Sequence, residues 1–187
     1  NVKQPVMMFV MGDFRISLVT THLPLRELSS AVTYQRLKQT VDLTVRSLRK
    51  RFGVARPRIG IAALNPHAGE GGLLGSEEVR RLTPWVRRIK RSSSASLVGP
   101  KPVDSLLMEA ALGHFDAVVA LYHDQALIPV RLLGQGKAVQ TTLGLPIVRT
   151  SPAHGTAFDL AGKNQADPSS MKEAIRLAIE MASRRTR

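Results

Sequence analysis

Asp116-Ala117-Val118-Val119-Ala120-Leu121-Tyr122 is a short apolar run with no polar alternation, and His123-Asp124 closes its far end. A strand wetted on one face alternates apolar and polar residues. A run like this one belongs in a sheet covered on both faces, which is the signature of parallel strands. Upstream, Val103–Leu112 has helical spacing, with Asp104 near its start, and Ala95–Val98 and Arg58–Leu64 read as strands. Between those strands, Ser76 is a fair N-cap, with Glu77 and Glu78 in the first turn of a helix running to about Lys90. Ser92-Ser93-Ser94 is a polar break too short to divide two domains.

Further out the alternation continues. Leu37, Val41, Val45, Leu48 and Phe52 form one apolar stripe on a helix predicted over Arg26–Phe52 and stopped by Gly53. Val6–Val10 and Arg15–Thr20 are β-rich runs, and Met11-Gly12-Asp13-Phe14 between them reads as a hairpin turn. Downstream, Ala138–Leu143 and Ile147–Thr150 are predicted strands and Ser169–Ser183 a final helix. Strands alternating with helices predict an α/β fold, an α/β/α sandwich around a mixed, partly parallel sheet.

Composition narrows the function. Lys and Arg number 27 against 14 Asp and Glu, a net charge of +13. Basic residues cluster at Arg49-Lys50-Arg51, Arg80-Arg81, Arg87-Arg88-Ile89-Lys90-Arg91 and Arg184-Arg185-Thr186-Arg187. Such clusters suit nucleic acid, but aromatics are only 4%, so base-stacking platforms are scarce. These clusters sit near predicted helix ends, where cations suit the macrodipole, and they are read as solvated faces; no nucleic-acid partner is expected. No apolar run reaches the roughly 18–20 residues a membrane span needs, so no membrane partner is expected either. The chain opens on Asn1 with no signal peptide visible and holds no cysteine, which excludes disulfides and thiolate metal sites and fits a reducing cytoplasm.

Ligands in α/β sheets bind beyond the carboxyl ends of the strands. Three histidines stand there: His22 after Leu18–Thr21, His67 after Ile61–Asn65, and His123 after Val118–Tyr122. Each alone reads as an ordinary loop residue. Together, on converging strand ends, three imidazoles suit Zn²⁺ or another divalent ion. Asp104 and Asp124 are candidate proton carriers or partners of the ligands; read alone, Asp104 also suits helix capping and Asp124 a turn. Pro66–Gly72 is Gly-rich and leads to a helix N-terminus, an arrangement that lets backbone N–H groups approach an anion. His154-Gly155-Thr156-Ala157-Phe158-Asp159 is a polar loop that can wrap an adenine and ribose, or simply connect to the last helix.

Leu64-Asn65-Pro66-His67-Ala68-Gly69-Glu70-Gly71-Gly72, Tyr122-His123-Asp124-Gln125 and the run Thr142–Ser151 resemble the 4-hydroxythreonine-4-phosphate dehydrogenase family of pyridoxal-phosphate biosynthesis. Thr20–Leu25 and His154–Ala157 do so too, and the latter also looks like the adenine-binding loop of isocitrate and isopropylmalate dehydrogenases, whose fold the family shares.

The resemblance implies NAD- and divalent-metal-dependent (Zn, Mg or Co) oxidation of the secondary alcohol of 4-phosphooxy-L-threonine, with decarboxylation to 3-amino-2-oxopropyl phosphate. It implies a homodimer whose second subunit completes a cleft between two α/β domains. It assigns His22, His67 and His123 to the metal, Arg131, Gln140 and Arg149 to the phosphorylated hydroxy amino acid, and His154, Gly155, Thr156, Ala157 and Asp159 to the cofactor. Asp104 and Asp124 become the catalytic acids or bases. Arg131 stands where the family has lysine, Gln140 where it has asparagine and Ala126 where it has a usual glycine. Family members acting on phospho-threonate or aromatic cis-diols are therefore the alternative, beside a remnant without turnover. The chain is expected to be the carboxyl-terminal portion of a two-domain enzyme, with residues from about 151 to 187 reaching the cofactor-side domain.

Overall fold

Gly12, with φ +57°, supplies the tight turn that lets β1 (Val6–Met11) fold back on β2 (Phe14–Leu18), pairing Phe9 with Ile16 and Val10 with Arg15. The computed structural model describes residues 4–134 and 136–184; of the last basic cluster, Arg185 and Arg187 lie outside the described residues. The other strands are β3 (Arg58–Ala62), β4 (Ser96–Lys101), β5 (Ala117–Ala120), β6 (Val139–Leu143) and β7 (Thr150–Pro152). The helices are α1 (Leu28–Ala31), α2 (Tyr34–Phe52), α3 (Thr83–Ser92), α4 (Val103–Ala111), α5 (His123–Gly134) and α6 (Ser169–Ser183).

One seven-stranded sheet results, in the order β4-β3-β5-β2-β1-β6-β7. The neighbours β4, β3, β5 and β2 are parallel, β1 runs against both β2 and β6, and β7 runs against β6. Successive side chains point to opposite faces. Met8, Val10, Ile59, Ile61, Val119 and Leu121 meet buried residues of α2, α3 and α6 on one face. Phe9, Ile16, Leu18, Val118 and Ala120 meet those of α4 and α5 on the other. Both faces are covered, as the unalternating run at β5 predicts, and the α/β sandwich with a mixed sheet stands. Each fully buried Leu or Ile stabilises this core by roughly 1.5–3 kcal/mol.

Several element boundaries differ from expectation. The helix predicted over Arg26–Phe52 is interrupted. Val32 is extended (ψ 101°), and Thr33 accepts from the Arg36 amide at 3.3 Å as the true N-cap of α2. Among the described residues the Ser76 side chain makes no capping hydrogen bond; a wide π-type turn over Glu78–Leu82 runs into α3 instead. Pro84 has no N–H for the carbonyl one turn back, and the wider turn accommodates that loss. Ile147–Thr150 is not a strand: Pro146 cannot donate to a ladder, and pairing with β6 begins only at Thr150. Helix α5 is an addition, with Pro129 inside it.

Gly99 lies in β4 with φ +136°, and a Cβ there would stand 2.4 Å from the carbonyl oxygen of Ile61. Gly99→Ala is therefore expected to push β4 off β3 and to cost roughly 3 kcal/mol or more, combining backbone strain with overpacking. Urea unfolding measures this, and a loss under about 1 kcal/mol would contradict the close approach.

Candidate active site

The carboxyl ends of β2, β3, β4 and β5 share one edge of the sheet. Beyond Leu18 the pairing of β2 with β5 continues: the Val19 amide donates to Ala120 O at 2.9 Å, and the Thr20 hydroxyl donates to Leu121 O at 2.7 Å. This continued ladder delivers His22 and His123 to the same place. Their ring centroids are 5.2 Å apart, tilted by 46°. His123 opens α5, and its Nδ1 lies 2.7 Å from Asp124 Oδ1. With the carboxylate ionised, Nδ1 is the donor and Nε2 keeps a free lone pair.

Both histidines face a hollow of about 580 Å³ that Arg131, Gln140, Arg149, His154 and Gly155 also line. Arg149 is held from behind. It donates through one terminal nitrogen to Gln140 Oε1 at 3.1 Å and to Thr142 Oγ1 at 3.0 Å. The Ser151 hydroxyl donates to the same Gln140 oxygen at 2.8 Å, and the Gln140 amide nitrogen donates to Thr142 Oγ1 at 3.1 Å. Gln140 lines the hollow, but its oxygen is committed to Arg149 and Ser151. Through that oxygen it ties Arg149 to Ser151.

His67, Asp104 and Asp124 line a second hollow of about 540 Å³. Among the described residues no three His, Cys, Asp or Glu side chains assemble into a metal-holding group. His22 and His123 meet, and His67 lines the second hollow. His67, Ala68, Gly69, Glu70 and Gly71 all have φ between +44° and +76°, a left-handed run in the loop after β3.

The carboxylate of Glu78 holds that run in place. It is 2% exposed and accepts from the Leu64 amide at 2.7 Å, the Asn65 amide at 2.9 Å and Asn65 Nδ2 at 2.8 Å. Asn65 Nδ2 also donates to Glu77 at 2.9 Å; that hydrogen bond, then one from the Ser29 hydroxyl, holds the Glu77 carboxyl below its usual range.

Asp104 sits in the first turn of α4 and, among the described residues, makes no side-chain hydrogen bond. On the far side, His154 Nδ1 lies 2.7 Å from Gly155 O and Nε2 lies 2.6 Å from Ser170 Oγ. Thr156, Ala157 and Asp159 are exposed beyond the hollow's rim.

Sequence reasoning passed over three residues: Glu78, Gln125 and Ser170. Gln125, 6% exposed, accepts from the Leu121 amide and donates to Ala63 O, both at 2.8 Å, joining the ends of β5 and β3. Its place directly after His123-Asp124 was the available signal. Glu78 and Ser170 carried none, because an acid or a serine in a first helical turn ordinarily faces water.

A family model described as "Pyridoxal phosphate biosynthetic protein PdxA" matches residues 1–178. A 4-hydroxythreonine-4-phosphate dehydrogenase of Azoarcus sp. (strain BH72) is 50% identical over 182 residues, 97% of this chain and 55% of that protein. The chain thus spans about half the length of the curated relatives it matches. The 1.25 Å crystal structure of 4-hydroxythreonine-4-phosphate dehydrogenase from Klebsiella pneumoniae superposes with TM-score 0.87 at 40% identity, over 97% of this chain and 55% of that one. A terephthalate 1,2-cis-dihydrodiol dehydrogenase from Burkholderia xenovorans LB400 gives TM-score 0.76 at 31% identity, over 94% and 55%.

Proposed function

Since the chain belongs to the PdxA family of pyridoxal phosphate biosynthetic proteins, we propose that it is the catalytic half of an NAD- and metal-dependent dehydrogenase. Its reaction oxidises the secondary alcohol of 4-phosphooxy-L-threonine, with loss of CO₂ to give 3-amino-2-oxopropyl phosphate. The cytoplasm is its compartment, in keeping with a chain that holds no cysteine. The observation that carries the reading is the shared hollow: two imidazoles, one of them oriented by a carboxylate, and two arginines line it together.

The donors fit a divalent ion. His22 and His123 offer two imidazoles, and Asp124 fixes the tautomer of the second. A third ligand has to come from elsewhere, and His67 of a second copy supplies it. The two imidazoles with the third would hold the ion, which would supply Lewis acidity at the hydroxyl oxygen, and the loop from His154 to Asp159 would hold NAD, which would supply the hydride acceptor. Arg131 and Arg149 bind the phosphate, and Gln140 keeps the guanidinium of Arg149 turned toward it. Asp104, which lines the same hollow as His67, takes the proton of the substrate hydroxyl in this reading.

A homodimer also accounts for the outer surface of α4 and α5. Met108 (65% exposed), Leu112 (70%), Ile128 (59%) and Leu132 (73%) are apolar and uncovered there. The relatives are nearly twice as long, and the proposal includes a second α/β lobe on the cofactor side. Met171, Ile175 and Ile179, exposed at four-residue spacing along α6, are the seam proposed for it.

The test is turnover of 4-phosphooxy-L-threonine by the complete protein with NAD and a divalent ion. Arg149→Ala is expected to lower kcat/KM roughly ten- to hundred-fold, for one lost charge-assisted contact of about 1.5–3 kcal/mol. A second reading rests on Arg131: its planar fork suits a carboxylate as well as a phosphate, and the Burkholderia diol dehydrogenase shares the fold. Faster turnover of an aromatic cis-diol acid than of the phosphorylated substrate would select it.

A further inference from the structure

Residues 155–169 form an exposed excursion between β7 and α6, with Phe158 at 81% exposure, so apolar packing does not hold this segment down. Its two ends are nevertheless joined. His154, at the start, places Nε2 2.6 Å from the hydroxyl of Ser170, at the end. Ser170 lies in the first turn of α6 and is only 7% exposed, an unusual place for a hydroxyl that could have faced water. The helix start around it is itself anchored. Asp167 accepts from the Ser169 amide at 2.9 Å, and the Thr150 hydroxyl donates to Ala174 O at 2.8 Å.

The bonding pattern fixes the protonation of the ring. The Gly155 carbonyl, 2.7 Å from Nδ1, can only accept, so Nδ1 carries a proton. In the neutral ring Nε2 is then the acceptor, and the Ser170 hydroxyl donates to it. Both ring nitrogens of His154 are therefore occupied within the protein. The imidazole has no nitrogen left to read an adenine edge, and that task passes to the backbone of Gly155 and its successors.

We propose that Ser170 is the positioning residue of the cofactor loop: its hydroxyl donates to Nε2 and holds the His154 ring, whose Nδ1–H the Gly155 carbonyl sets, so that the Gly155 turn is fixed before NAD arrives. The proposal rests on the reading of this loop as the NAD site. Closing a flexible excursion costs chain entropy, and a tie formed in advance removes that cost from binding.

The experiment compares the full chain with Ser170→Ala, Ser170→Thr and, as a control for helix capping, Ser169→Ala. The first readout needs no cofactor: ¹⁵N shifts of the His154 ring. Wild type is expected with Nδ1 protonated and Nε2 hydrogen-bonded, and Ser170→Ala shifts the Nε2 resonance as its hydrogen bond is lost. The second is NAD affinity, about ten-fold weaker in Ser170→Ala, with divalent-metal content unchanged and with Ser170→Thr close to wild type. An unchanged Nε2 shift in Ser170→Ala, or NAD affinity that ignores the substitution, overturns the proposal. A Ser169→Ala loss equal to that of Ser170→Ala also overturns it, since the effect would then belong to the helix start. A complete protein that binds no NAD, while the Nε2 resonance shifts as described, overturns the cofactor reading itself.

Discussion

Glu78→Ala is expected to release the His67 loop and to cost roughly 3–5 kcal/mol of stability, the range for stripping a buried, hydrogen-bonded charge of its role. Its carboxylate serves the Leu64 amide, the Asn65 amide and the Asn65 side chain from a site that is 2% exposed. What it restrains is costly on its own. His67, Ala68 and Glu70 are non-glycine residues at φ +52°, +56° and +44°, and each left-handed residue costs about 1–2 kcal/mol. Urea unfolding reads the stability, and amide exchange at residues 64–72 reads the loop. A loss below about 1 kcal/mol with unchanged exchange would show that the left-handed run holds itself.

A milder version of the same effect follows from pH. The depressed Glu77 carboxyl stabilises the fold fully above the ordinary glutamate range. Its contribution is lost as pH falls through its lowered folded pKa, so acid should loosen this corner before the β1–β2 hairpin.

Mixing two inactive variants should restore metal sites. If His67 completes the His22–His123 pair of another copy, His67→Ala and His123→Ala each lose the ion alone. In a mixed dimer one site inherits both losses and the other inherits neither. Random re-association makes half the dimers mixed, so bound metal and activity should recover to about a quarter of wild type. Metal content of the re-associated mixture, against each variant by itself, is the measurement. No recovery in verified mixed dimers would place all three ligands in one chain, or exclude His67 from the site. The size of the effect, from nothing to a quarter, separates a shared site from partial unfolding, which mixing cannot repair.

The amino-acid sequence by itself determined most of the elements and their layering. Apolar period decides strand from helix, and Ala117–Ala120, the Leu37–Phe52 stripe and Ser169–Ser183 state theirs without ambiguity. Positions after strands were equally legible. Parallel strands end on one edge, so His22 and His123 had to be near neighbours once β2 and β5 paired. Local chemistry that competes with period was not legible: Thr33 cutting a helix in two, Pro84 widening a turn, and Pro146 delaying β7.

Only the tertiary structure decided which way the site residues face. The loop that carries His67 is tied by Glu78, eleven residues later, through the Leu64 and Asn65 amides. Arg149 is aimed by Gln140, across the β6–β7 pairing. The ring nitrogens of His154 are used up by Gly155 and by Ser170, sixteen residues on. Period and spacing report which face of an element a residue occupies. A hydrogen bond depends on distances of a few tenths of an ångström between segments far apart in the chain, and those distances exist only once the core has packed.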